Sequence, residues 1–235
     1  MHIIYKELLC NEVNRCNSAA CPICRFYFTN WLTSASAAIL PKSHQALTDI
    51  TLTIDSLPMF SGMMELLPVE DYVGRIKRRV SRHLMQCAAT DVAAIGGMYF
   101  VWTEISHLCY KGGFWQPYLR LIVCGSDVDK LVNRLWRYYR PSWRTKEPII
   151  AKGVSDISSV ICQFTKLLQD HEHRRYSGKL AEDETTLDIT RTAMKEKQLK
   201  ELIRFLDGYY ATQMLFLYNV KRVGKTLQMA SYNQT

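Results

Sequence analysis

The stretch GGFWQPYLRLIVCG, residues 112–125, opens on two glycines and closes an apolar run with a third. Strand side chains alternate between faces, so Gln116, Tyr118 and Arg120 share one face while Leu119, Leu121 and Val123 share the other. One face packs and the other carries polar chemistry, which places this strand in a sheet with unlike sides. The segment KGGFWQP reads as a turn, and GGMYFVWTEISHL ahead of it reads as a strand. Residues 98–107 and 118–124 are therefore expected to form an antiparallel hairpin.

The same alternation recurs earlier in ALTDITLTIDSL, with Ile50, Leu52 and Ile54 on one face and Asp49, Thr51, Thr53 and Asp55 on the other. Around these strands lie helical signals. A helix is expected from Pro22 to the stop at Pro41, two more over roughly 58–67 and 69–88, and one from SDVDKLVNRLW with Ser126 as N-cap. PIIAKGV is a short strand ahead of a helix in SDISSVICQFTKLLQDHEHRR; SGKLAEDETTLDIT, residues 177–190, reads as a polar loop. A last helix covers about 195–217, followed by a basic tail. The fold class implied is α+β: a central antiparallel sheet with helices packed on it, an N-terminal cysteine knuckle and an appended C-terminal helix. The corresponding divisions are a knuckle and helix segment (1–45), the α+β core (46–176), a polar linker (177–194), and a C-terminal helix with its tail (195–235).

Length and composition bound the function. The chain has 235 residues, 48% of them hydrophobic, and no run of 18 apolar residues, so it has enough material for a core and no membrane span is expected. Residues 1–16 lack the order of a signal peptide, and a cytoplasmic location is expected. With 30 Lys and Arg against 22 Asp and Glu, the net charge of +8 suits a polyanionic partner. Its distribution is more telling. In VGRIKRRVSRHL, Val73, Ile76, Val80 and Leu84 form an apolar seam, which leaves Arg75, Lys77, Arg78, Arg79 and Arg82 on the other faces. In NRLWRYYRPSWR, Arg134, Arg137 and Arg140 alternate with Trp136, Tyr138, Tyr139 and Trp143. Guanidinium groups hold phosphates and aromatic rings stack on unpaired bases, the combination that single-stranded nucleic acid binding uses; taken singly, each aromatic also suits a core position.

The eight cysteines divide into Cys10, Cys16, Cys21 and Cys24, crowded together, and Cys87, Cys109, Cys124 and Cys162 in apolar surroundings. In a reducing compartment the first group reads as a structural zinc site, with Cys21-Pro22-Ile23-Cys24 as its knuckle and His2 or His44 as substitute ligands. A set of unmetallated thiols is the alternative.

Four short motifs occur in order: Cys21-Pro22-Ile23-Cys24, Thr51-Leu52-Thr53, a strand from Gly97 to Glu104, and Trp115-Gln116-Pro117-Tyr118-Leu119-Arg120. On these, over roughly residues 10–225, the chain resembles the replication initiators of rolling-circle plasmids, members of the HUH endonucleases. In that family the last motif is W-H-P-H-L-H, so the frame is kept here and every histidine is replaced. The resemblance implies a metal-holding strand face with a carboxylate from the neighbouring strand, here Glu104, and a later helix bearing a tyrosine that attacks a DNA phosphate. Gln116 and Tyr118 are poor ligands, and Arg120 brings a cation to the ion's position, where it would pair with Glu104. The tyrosine motif Y-L-T-K-Y matches QFTKL, which puts Gln163 and Leu167 at the tyrosine positions and keeps Thr165 and Lys166.

Glu104, Gln116, Tyr118, Arg120, Gln163 and Lys166 thus read as a vestigial site with no catalytic residue, and Mg2+ or Mn2+ is not expected. His171 and His173, two apart on a helix, would not share a face. The function expected is a DNA-binding protein of plasmid replication, acting on single-stranded or stem-loop DNA as a regulator or as accessory to an active initiator, without nicking. Two alternatives stay open. One is a nicking enzyme in which Glu104, Gln116 and His107 hold the metal and Tyr176 or water attacks; the other is a subunit of a larger protein assembly.

Overall fold

The computed structural model describes residues 10–11, 13–40, 47–55, 59–60, 62–64, 69–87, 91–107, 110–142, 145–165, 173–177, 186–190 and 194–230. The fold is α+β, with a mostly antiparallel sheet and, among the described residues, five helices. Strands β1 (Leu47–Thr53), β2 (Met59–Phe60), β3 (Ala93–His107), β4 (Tyr110–Cys124), β5 (Ile149–Gly153), β6 (His173–Ser177), β7 (Thr186–Thr190) and β8 (Leu215–Tyr218) form it in the order β5-β1-β4-β3-β6-β7. β2 adds to β4, and β8 pairs with β3 over Ala94–Gly97. Helices α1 (Pro22–Ile39), α2 (Val69–Cys87), α3 (Val128–Leu135), α4 (Ile157–Thr165) and α5 (Glu196–Asp207) flank it. A separate hairpin, β9 (Val220–Val223) and β10 (Thr226–Met229), closes the described chain.

The sheet buries both sides, unequally. Ile50, Leu52, Met98, Phe100, Trp102, Trp115, Leu119, Leu121 and Val123 project to one face, where α2, α3 and α5 cover them with Val73, Ile76, Val80, Leu84, Leu131, Leu135, Leu202 and Phe205. The opposite face carries Ile95, Ile122 and Cys124, packed under Leu32 of α1 and Ile161 of α4. Further along that second face Gln116 and Arg120 lie among buried Val101, Phe114 and Tyr118, so the alternation seen at 116–120 places polar groups within a face that is itself partly apolar.

Several expectations need correction. The hairpin is longer than expected: β3 and β4 are 15 residues each, and Lys111–Pro117 is paired strand rather than turn. Gly113 has a packing reason, because a Cβ there would stand 2.2 Å from the Trp102 ring. Pro117 fits inside the strand because its carbonyl accepts from the Ile54 N–H at 2.9 Å. Its missing N–H faces that same edge, just where β1 leaves the ladder at the Thr53–Tyr118 pair. The helix expected over 58–67 is replaced, among the described residues, by β2 and a turn at 62–64.

Further along, α4 is described over Ile157–Thr165, and residues read as helix and loop supply β6 and β7. The last helix ends at Asp207, and its supposed C-terminal turns and basic tail are a 3-10 turn (Ala211–Met214) and strands β8 to β10. β-branched and aromatic residues in LFLYNVKRV favour that outcome once β3 offers an open edge. Among the described residues no helix is long and apolar enough to cross a membrane.

Candidate functional site

The four clustered cysteines converge. Cys21 is the N-cap residue of α1, Pro22 occupies its first turn, and Cys24 follows one turn in, so two thiols leave the same helix end. The preceding loop brings Cys10 and Cys16 back over them, turning at Asn17, which takes a left-handed φ of 58° that asparagine tolerates. Cys10 Sγ lies 3.4 Å and Cys16 Sγ 3.6 Å from Cys24 Sγ, and all four sulfurs fall within 4.8 Å of one another. Four thiolates around a tetrahedral ion at about 2.3 Å would be about 3.8 Å apart, so this set fits a metal, and the separations are far beyond a disulfide bond. The Asn17 backbone N–H donates to Cys24 Sγ at 3.1 Å, an orienting bond for a ligand sulfur.

Burial pushes the Cys21 and Cys24 thiols up from their ordinary value, so both hold their protons at neutral pH. Burial acts the same way on Cys10, but there the Cys16 backbone N–H and the neighbouring thiols outweigh it and the thiol is brought down. The expected substitutes His2 and His44 lie outside the described residues, and among those described no other His, Cys, Asp and Glu cluster comes together.

On the sheet, Gln116, Tyr118 and Arg120 do share the polar face. Arg120 forms a two-pronged pair with Asp49, its Nε 2.8 Å from Oδ1 and its Nη2 2.5 Å from Oδ2. The β1–β4 register sets Thr51 directly opposite Arg120, so Asp49 is its diagonal neighbour and the fork closes across the ladder. Arg120 Nη1 also donates to Gln163 Oε1 on α4. Two positions singled out by the motif comparison, 120 and 163, are thus brought into contact. Gln116 is fully buried and donates through Nε2 to Thr145 Oγ1 at 2.9 Å and Asp55 Oδ1 at 3.3 Å; Ser142 Oγ holds the other Asp55 oxygen at 2.5 Å. The Gln116 Oε1 is buried with no partner among the described residues. Tyr118 is buried and stacks on Tyr99 at 5.2 Å, directly across the hairpin.

Glu104 does not join them. It pairs with Gly113 in the register, which puts it on the face shared by Trp102 and Trp115, and Lys195 Nζ stands 3.7 Å from its carboxylate. The expected Arg120–Glu104 pair is therefore corrected to Arg120–Asp49, because side chains alternate and 104 has the wrong parity for the polar face. Lys166 and His171 fall outside the described residues; Tyr176 and His173 sit on β6, with Tyr176 opposite Ile105, rather than on a helix.

The two basic clusters come together on neighbouring elements, on the side of the sheet opposite the Arg120 site. Arg75, Arg78, Arg82, Arg134, Arg137 and Arg140 are exposed. Arg134 Nη1 donates to the Cys87 carbonyl at 3.1 Å, clamping the end of α2 to α3. Lys77 is a correction: it turns inward and donates to the Gln213 carbonyl, and burial lowers its ammonium to about 8. Arg79 is half-buried. Of the interleaved aromatics, Tyr139 is core and Trp136 packs against the core, whereas Tyr138 remains 42% exposed; Trp143 lies outside the described residues.

Sequence reasoning missed His83. Its ring stacks on Tyr138 at 4.3 Å and 15°, and its Nδ1 lies 3.1 Å from the Tyr139 hydroxyl. Burial first, then the Arg79 and Arg82 guanidinium charges, push this imidazole below its ordinary value. The sign follows from linkage: the unfolded chain takes the proton more readily, so stability present above about pH 6.5 is lost as pH falls through the lower folded value. Thermal unfolding at stepped pH should show the melting temperature falling on acidification from pH 7, with a shallower fall in His83→Phe. Identical profiles would remove His83 as a contributor.

No family model, curated protein or solved structure matches this chain.

Proposed function

We propose that this chain is a nucleic-acid-binding protein derived from a rolling-circle replication initiator, which holds single-stranded or stem-loop DNA and does not cut it. It would serve as a regulator or as accessory to an active initiator, and its four clustered cysteines would carry a structural zinc ion. The observation that carries the reading is the joined basic surface of α2 and the α3 end. Residues 74–90 and 130–146 contain no Asp or Glu, so Arg75, Arg78, Arg82, Arg134, Arg137 and Arg140 make this surface strongly basic and suited to phosphates. The non-cleaving part rests on Arg120: its guanidinium is committed to Asp49 and Gln163 at the positions where the resembled family keeps a metal ligand and a nucleophile. Zinc is favoured over other ions by four thiolates in tetrahedral reach, and the free thiols suit a reducing, cytoplasmic setting.

The test is binding of labelled single-stranded and stem-loop DNA while salt rises from about 50 to about 200 mM. Sub-micromolar affinity with a steep negative salt slope is expected. Arg75→Glu, Arg78→Glu and Arg82→Glu together should weaken every sequence alike by well over about tenfold and flatten the slope by about 2, at roughly 0.7 per single-strand phosphate contact. Absence of binding at about 50 mM salt would overturn the reading in favour of a protein assembly role. A metal-dependent nick or a covalent protein–DNA adduct would overturn its non-cleaving part.

A further inference from the structure

We propose that the stacked pair His83–Tyr138 is a docking platform for one unpaired base of a single-stranded nucleic acid, with the surrounding arginines holding the phosphates on either side. The inference rests on the nucleic-acid reading above and names the part of the surface that distinguishes single strands from duplex.

Tyr138 follows the end of α3, where a helix would have continued its surface; a turn instead lays its ring flat against α2. One ring face rests on His83 and the residue is still 42% exposed, which leaves it open to a ligand. The support beneath it is rigid. His83 is held through Nδ1 by the hydroxyl of Tyr139, which is itself 6% exposed and meets the imidazole edge-on at 5.4 Å and 78°. A flat ring fixed in this way binds without first losing rotamer freedom, which favours affinity.

Arginines crowd the platform. Arg79 and Arg82 lie close enough to His83 for their fields to act on its imidazole, and Arg134 and Arg137 act on Cys87 one turn further along α2. No acidic residue occurs in 74–90 or 130–146, so these segments bring to the ring a basic surface that a polyanion complements. An exposed aromatic ring within an arginine field pairs stacking with phosphate neutralisation, which suits a strand whose bases are free. A duplex keeps its bases stacked internally and would meet only the arginines.

The test compares equilibrium binding of the full chain to a labelled oligothymidylate and to a duplex of the same length. Tyr138→Ala should weaken the single strand about 5- to 100-fold and leave duplex affinity and both salt slopes unchanged, while Tyr138→Phe retains wild-type binding. Because Tyr138 is exposed, an unaltered melting temperature serves as the control for folding. Equal losses on both probes, or no loss on the single strand, would overturn the platform while leaving the basic surface standing. A wild-type protein that binds neither probe would overturn the nucleic-acid reading as well.

Discussion

Cys24→Ser should deprive the protein of its metal and of much of its stability. Cys24 lies within 3.6 Å of both Cys10 and Cys16 and receives the Asn17 N–H, so its sulfur is the hub of the cluster. Purified wild-type protein is expected to carry about one zinc per chain, and the variant next to none. Structural zinc contributes about 10 kcal/mol or more in small finger peptides; even a third of that would lower the melting temperature by about 10 °C at about 2–4 °C per kcal/mol. A strong chelator should act on the wild type as the substitution does. Since Cys21 and Cys24 hold their protons when free, metal uptake releases protons, and affinity should fall steeply as the solution is acidified. Less than about one zinc per two chains, with folding indifferent to chelator, would leave the four as plain buried thiols.

Asp49→Ala is expected to be nearly as costly. Asp49 has a side chain only 9% exposed and offers both oxygens to Arg120, whose own side chain is 19% exposed. Removing the carboxylate strands a guanidinium in a largely dry site, a loss of about 3–5 kcal/mol in chemical denaturation. The double variant Asp49→Leu, Arg120→Leu removes both charges together and should recover most of the deficit. The difference between single and double variants measures the coupling. A single-variant loss below about 1 kcal/mol would mean that solvent screens the pair as it does on a surface.

What could be read from the sequence depended on periodicity. Ile50, Leu52 and Ile54 and the alternation at 116–123 identified two strands and their faces, since a period of two survives any tertiary context that buries one side. The knuckle was equally legible, because ligand type and short spacing are local properties. Glu104 was misplaced because the hairpin was judged too short: glycines at 112 and 113 signal a turn, yet Gly113 makes room for Trp102. Asp49 was seen on the polar face but not as the partner of Arg120, since diagonal neighbours follow only from a strand register. β8 was read as the end of a helix because its partner, β3, lies more than a hundred residues earlier, and β9 and β10 were read as a basic tail. His83 left no signal at all. Its role arises from Tyr138 and Tyr139, on a different element, which no pattern within α2 can announce.

The cysteine loop is also where the two extremes of the fold meet. Ala19 donates to the Tyr209 carbonyl, Ala211 to that of Asn17, and Trp31 Nε1 to that of Lys225, 194 residues away. During synthesis at about 5–20 residues per second, the knuckle emerges roughly 10–40 s before the segment it docks against. The cysteines can gather an ion from local chain alone, and α1 can close on β3, β4 and α4 once these are made, but its loop's bonds to Tyr209 and Ala211 and the Trp31 bond to Lys225 wait for the later segment. Nascent chains would therefore spend that interval with the cysteine loop and α1 held by their earlier contacts alone, and these long-range bonds close only after residues 209–225 follow.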